Sequence, residues 1–221
     1  MALVALALVA VLPRLSWRRH AVTTLARAFV SASGIPVRLD GASHLQATGP
    51  VTVVANHASF LDGIVLLSVL PERCHFVAKR ELTRNFATRL LLRGIGTRFV
   101  ERFDIEASVA GAQDMTTLAT HGESCVFFPE GTFRREPGLL PFRMGAFIAA
   151  ATAGTPVIPV AIRGTRSVLR DGQWLPHRGI VQVVVTPPLA PEGRDWAAAV
   201  RLRDRSRAAI LAACGEPDLA R

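Results

Sequence analysis

His57 and Asp62 stand five positions apart in VVANHASFLDGIVLL (residues 53–67), where one apolar run stops and another begins. A carboxylate bonded to one imidazole nitrogen fixes the tautomer and stabilises the imidazolium, leaving the other nitrogen to draw a proton from an alcohol or thiol. Taken alone, the pair also suits a plain strand-to-helix turn with Asp62 on the first helical turn. Ser59 invites a nucleophile's role, but no G-x-S-x-G elbow surrounds it, and a serine there more naturally caps the following helix. The base is therefore expected to act on a hydroxyl that the substrate brings.

Two further polar clusters follow apolar runs. In GIGTRFVERFD, Gly94 and Gly96 do not complete G-x-G-x-x-G because position 99 is Phe, so a dinucleotide site is not supported. Arg102, just past that run, presents a planar guanidinium suited to bidentate phosphate binding, or to pairing with Glu101 or Asp104. In CVFFPEGTFRRE, Pro129 cannot continue a central strand and Gly131 lets backbone approach a ligand. Glu130 and Thr132 add an acceptor and a hydroxyl beside Arg134 and Arg135. No spaced set of His, Cys and acidic residues marks a metal site: Cys74-His75 with Cys125 lacks a fourth ligand, and His57, Asp62 and Glu130 are scattered over two loops.

The elements that must hold these groups alternate. PVRLDG, VTVVAN, CHFVAK, TRFVER, SCVFF, PVIPVAIRG and IVQVVVTP read as strands. Residues 60–70, 81–93, 106–120, 142–153 and 195–213 read as helices, the last with Asp195 as N-cap and Gly215 beyond its end. This predicts an α/β fold with a largely parallel central sheet flanked by helices, each strand joined to the next by a crossover helix. Near-continuous apolar strands such as VTVVA point to burial on both faces, and ligands in such sheets sit beyond the strands' carboxyl ends.

Residues 1–34 read differently from 35–221, which form the expected α/β domain. MALVALALVAVL is an apolar run of 12 residues, against the roughly 20 needed to span a bilayer, and no positive charge precedes it. Trp17 among Arg14, Arg18 and Arg19, then a helical pattern over 21–34, predicts a membrane-associating helical segment lying in one leaflet; an ordinary docked helix and a start inside a longer transmembrane segment are the alternatives. The expected location is the cytoplasmic face of the inner (plasma) membrane.

Basic residues outnumber acidic ones 26 to 17, a net charge of +9 that favours an anionic partner such as a membrane surface. Nucleic acid is disfavoured: there is no tyrosine, aromatics are 6%, and no basic patch is interleaved with stacking residues. The three cysteines, at wide spacing, fit reduced buried thiols rather than a disulfide framework. A non-catalytic basic membrane-binding protein and a hydrolase using the His-Asp pair on a lipid ester are two open readings.

The order N-H-x-x-x-x-D (56–62), G-x-x-F-V-E-R (96–102), F-P-E-G-T (128–132) and V-I-P-V-A-I (157–162) resembles the four blocks of the glycerolipid acyltransferase family, over roughly residues 35–190. The resemblance implies transfer of a fatty acyl group from an acyl-CoA or acyl carrier protein (ACP) thioester to the free hydroxyl of a lysophospholipid. The foremost acceptor is 1-acyl-sn-glycerol-3-phosphate, with lyso-ornithine lipid as an alternative, and no cofactor or metal is implied. It makes His57 the general base and Asp62 its orienting partner, and it associates Arg102, Glu130, Gly131 and Thr132 with the acceptor phosphate. Pro159 falls on the acyl-chain side, and Lys79 and Arg143 fall in expected order within the substrate site. Arg143 stands where relatives frequently have lysine, and Phe133-Arg134 departs from the commonest continuation, which leaves headgroup choice open.

Overall fold

The computed structural model describes residues 1–46, 49–100, 123–173 and 175–220. Arg102 and the helix expected over 106–120 lie outside the described residues.

The chain opens with helix α1 (Ala2–Val11) and α2 (Leu15–Ala32), followed by strand β1 (Val37–Asp40) and, after a 3₁₀ turn, β2 (Thr52–Ala55). Helix α3 (Leu61–Val69), β3 (Cys74–Lys79), α4 (Phe86–Gly94), β4 (Arg98–Val100) and β5 (Ser124–Phe127) come next. The remainder is α5 (Gly145–Ala153), β6 (Val157–Arg163), the short α6 (Thr165–Val168), β7 (Val181–Val185) and α7 (Trp196–Cys214). All seven expected strands form one sheet in the order β1-β7-β6-β2-β5-β3-β4.

Every strand pair is parallel except β6 with β7. The expected strand-by-strand helical crossover therefore fails at both ends of the domain. Among the described residues only a 3₁₀ turn lies between β1 and β2, and the two strands are not neighbours; β1 pairs with β7 instead. The expected helix over 81–93 also divides, into a 3₁₀ turn (Arg80–Arg84) and α4. Asn85 separates them and caps α4 by accepting from the Thr88 amide at 3.0 Å.

Alternation along the central strands sends side chains to two apolar layers. Val53, Ile158 and Val160 pack with Leu61, Val65 and Leu66 of α3; Val54, Val157 and Ala161 pack with Phe147 of α5 and Leu202 and Ile210 of α7. Burial on both faces explains why these strands are almost continuously apolar. Pro159 sits in β6 opposite Val54, where β7 ends, so its missing N–H costs little.

At the N-terminus, Ala5 and Val9 of α1 pack with Val22 of α2 and Ile95 after α4. A Cβ added at Gly94 would fall 1.9 Å from a Val9 methyl, so glycine permits this close crossing. The arginines around Trp17 divide. Arg18 caps α1 by donating to the Leu12 carbonyl at 2.6 Å, and Arg19 donates to the Cys74 carbonyl at 3.2 Å. Arg14 stays exposed over the Trp17 ring at 5.3 Å. On the outer side Leu3, Val4, Val11, Leu15 and Trp17 are exposed, as are Phe86 and Leu90 of α4. Among the described residues no helix is long and apolar enough to cross a membrane.

Candidate active site

Asn56 ends β2 by imitating a strand: its side chain donates to the Ile162 carbonyl at 2.9 Å and accepts from the Ile162 amide at 2.7 Å. This double bond fixes the exit of β2 against β6, and the next residue is His57.

His57 Nδ1 lies 2.8 Å from Asp62 Oδ2, and the same oxygen accepts from the amides of Ala58 at 2.6 Å and Ser59 at 2.8 Å. Asp62 is wholly buried in the first turn of α3, whose N-terminal dipole favours an acidic side chain there. It also satisfies two amides that the helix start would leave without partners. Because the carboxylate accepts, the neutral imidazole carries hydrogen on Nδ1 and a lone pair on Nε2. Among the described residues Nε2 has no hydrogen-bond partner. The expected dyad is thus a direct contact made within residues 57–62.

Ser59 is fully buried; its hydroxyl donates to the Leu169 carbonyl at 2.6 Å and accepts from the Leu61 amide at 3.2 Å. It ties the start of α3 to the segment after α6 and is not poised as a nucleophile.

Glu130 faces inward. It is 5% exposed, Oε1 accepts from the His57 amide at 2.6 Å, and Oε2 accepts from the Leu140 amide at 2.8 Å. Burial outweighs these two bonds and pushes its carboxyl up to about 7. Both oxygens are committed to backbone, so Glu130 braces the base rather than presenting a free carboxylate to a ligand or metal.

Gly131, at φ 69°, turns the chain after this brace with its amide on the Phe128 carbonyl at 2.9 Å. The turn delivers Thr132, Arg134 and Arg135 to the surface, while Arg143, exposed just before α5, is held through its amide by the Pro129 carbonyl at 2.9 Å. Lys79 ends β3 and is half-buried; Pro159 is buried inside β6, on the face covered by α5 and α7. Glu130, Gly131 and Thr132 therefore join His57 and Asp62 at one place, whereas Pro159 lies within the sheet layer.

Three features escaped the sequence reading. The Phe128 ring stacks on the imidazole at 4.2 Å, and Phe133 meets the imidazole at 4.5 Å and 67°. A largely buried ion pair, Arg166 Nε to Glu216 Oε1 at 2.9 Å, clamps the loop: Arg166 also donates to the carbonyls of Arg134 and Arg135, and Glu216 accepts from the Gly138 amide. Pro217 and Leu219 then pair with Leu139 through backbone bonds of 2.8 and 3.1 Å. In sequence Arg166 and Glu216 look like any surface charges; only long-range folding brings them together.

Cys74 and His75 are consecutive on β3 and so project to opposite faces of the sheet, which prevents them from converging on one ion. Cys74 and Cys125 are buried thiols that form no disulfide, pushed by burial up to about 11 and about 12.

Comparison with known proteins bears on the family and the fold. The family model described as Acyltransferase matches residues 36–163. The 1-acyl-sn-glycerol-3-phosphate acyltransferase alpha of Mus musculus is 35% identical over 72% of this chain and 57% of its own. That of Homo sapiens is 33% identical over 80% of this chain and 63% of its own, so the chain spans about three fifths of these relatives' length. The crystal structure of the 1-acyl-sn-glycerophosphate acyltransferase PlsC from Thermotoga maritima superposes with a TM-score of 0.70 at 21% identity, covering 94% of this chain and 86% of that one, a likeness of fold. On the family match over the segment that carries the dyad and its brace, the chain belongs to the acyltransferase family.

Proposed function

We propose that the protein transfers a fatty acyl group from an acyl-CoA or acyl-ACP thioester to the free hydroxyl of a lysophospholipid, foremost 1-acyl-sn-glycerol-3-phosphate, giving phosphatidic acid. The observation that carries this reading is the His57 Nδ1 to Asp62 Oδ2 bond of 2.8 Å, which leaves Nε2 as the base. The names of the mammalian relatives support the choice of acceptor.

In this mechanism His57 Nε2 takes the acceptor hydroxyl proton while the oxygen attacks the thioester carbonyl carbon. The C–O bond forms, the C–S bond breaks, and the imidazolium returns the proton to the departing thiolate. Asp62 holds the ring and stabilises the imidazolium. A thiolate leaves readily, so no acyl-enzyme is required, and the buried, doubly bonded Ser59 supports direct transfer.

Arg102, Thr132, Arg143 and Lys79 are assigned to anionic groups of the substrates, with Gly131 allowing close backbone approach. Pro159 is assigned to the acyl-chain side of the site through the sheet wall it helps to form. Residues 1–34 hold the protein on an anionic membrane, at its cytoplasmic face, through the exposed apolar side of α1 and α2.

Purified protein incubated with a panel of lysolipids and one acyl thioester, read by mass, tests the reaction. Transfer to lysophosphatidate that disappears in His57→Ala is the expected result. Free fatty acid released without an acceptor would instead establish a hydrolase. Transfer confined to lyso-ornithine lipid would replace the acceptor. An Arg102→Ala variant with an unchanged KM for the acceptor would remove that residue's phosphate role.

A further inference from the structure

The residue after Gly131-Thr132 is aromatic, and its contacts give it a task beyond turning the loop. The Phe133 ring lies 4.5 Å from the imidazole and 4.8 Å from the Phe60 ring, meeting Phe60 nearly edge-on at 88°. Phe60 immediately precedes α3, where short polar residues are preferred, and makes no capping bond. It is 65% exposed, although burying such a ring is worth far more to folding than leaving it in water. Phe128 occupies another side of the imidazole, stacked at 4.2 Å and 19°. Two phenylalanine rings thus flank the base, and a third, Phe60, packs edge to face on one of them, while the neighbouring Thr132 and Arg134 turn outward.

We infer that Phe60 and Phe133 form a hydrocarbon-binding gate beside His57 which selects the fatty chain brought to the reacting atoms. The inference rests on the acyl-transfer reading and deepens it. An aromatic edge-to-face pair offers methylenes a broad apolar surface with no hydrogen-bonding demand. Its closeness to the imidazole means that the chain segment it grips lies only a few bonds from the carbonyl under attack. Either lipid substrate offers this chemistry: the acyl chain of the thioester, or the chain already on the acceptor. Phe133 is a specificity-determining residue here, and the proton is moved by His57 alone.

Phe133→Ala, Phe133→Leu and Phe60→Ala are compared with the wild type in two series. One varies the thioester from butanoyl- through octanoyl- to palmitoyl-CoA against a fixed lysophosphatidate. The other varies the acceptor chain over the same lengths against a fixed thioester. Loss of contact with two methylenes should lower kcat/KM by about tenfold for the long chain relative to the short one in Phe133→Ala. Phe133→Leu, apolar and of similar reach, should recover most of it. A length-dependent loss in the first series assigns the gate to the donor chain, and in the second to the acceptor chain. Equal losses at every length in both series, or none, would overturn the proposal. Displacement of a fluorescent fatty acid by the same acyl-CoA series measures chain selection without turnover. If the wild type showed no transfer yet lost this selection in Phe133→Ala, the reaction assignment would fail and the gate would stand. If selection were identical in wild type and Phe133→Ala, the gate would fail whatever the activity.

Discussion

Replacing Glu130 by Gln perturbs the brace behind His57 in a way whose pH dependence can be worked out beforehand. The carboxyl is pushed from 4.5 up to about 7 by burial, despite accepting from the His57 and Leu140 amides. Between these limits the folded state holds its proton more tightly than the unfolded chain. The native state therefore binds more protons, and the Glu130 contribution to stability rises as pH falls from about 7 towards 4.5. At 1.36 kcal/mol per unit, ionised Glu130 costs about 3 kcal/mol of folding free energy above that window, or about 6–12 °C in Tm for a chain of this size. Glutamine cannot titrate. The Tm difference between wild type and Glu130→Gln, followed by circular dichroism from pH 5 to pH 8, should therefore shift by about this amount in favour of the variant as pH rises. Activity should move the other way. Gln presents one oxygen and an NH₂ to two amides that both need an acceptor, so the His57 backbone loosens and kcat falls about tenfold or more even at pH 8. Parallel Tm curves for the two proteins across the range would refute the buried brace.

His57→Ala should lower kcat about 1,000-fold and Asp62→Asn about 100-fold, measured as lysophosphatidate acylation, with circular dichroism showing both folded. Wild-type turnover in His57→Ala would sink the general-base assignment. Glu216→Gln leaves the buried Arg166 charge without its ion pair and should cost about 3 kcal/mol in urea unfolding, with a raised acceptor KM from the loosened loop. Combining it with Arg166→Met should cost less than the sum of the single changes, and strict additivity would dissolve the clamp. Leu3→Glu with Val11→Glu alters residues that are 82% and 78% exposed, so stability should hold while flotation with anionic vesicles falls. Unchanged flotation would remove α1 from the membrane contact.

The strands were legible because each is a β-branched run bounded by polar or turn residues, and because burial on both faces erases the polar alternation that would otherwise blur them. Their order was not. Period-two patterning says that a strand such as VRLD exists, but its neighbour β7 lies more than a hundred residues downstream. The antiparallel meeting of β6 and β7 is equally invisible locally. Where a helix was misdrawn, at 81–93, Asn85 was the readable mark, an N-cap residue in the middle of an apolar periodicity. In the site, His57 and Asp62 were legible because their contact is made over five residues. Glu130 was found but misdirected, since sequence gives a carboxylate's position and not the side of the loop it faces. Phe133 could have been suspected, as it is the departure from the commonest family continuation, but its neighbours Phe60 and His57 are set by tertiary packing.

The triple use of Asp62 Oδ2 has a consequence for how such an enzyme changes over generations. His57, Asp62 and the two amides that anchor the carboxylate all belong to one short contiguous stretch, whereas the aromatic wall beside the imidazole is lent by the distant loop after β5. On the proposed reading, recognition at Phe133 can vary while the dyad stays fixed, with Glu130 as the one group of that loop tied to the base. If the proposed gate holds, a directed-evolution library confined to residues 131–136, which leaves Glu130 in place, should alter chain selectivity while retaining proton transfer by His57.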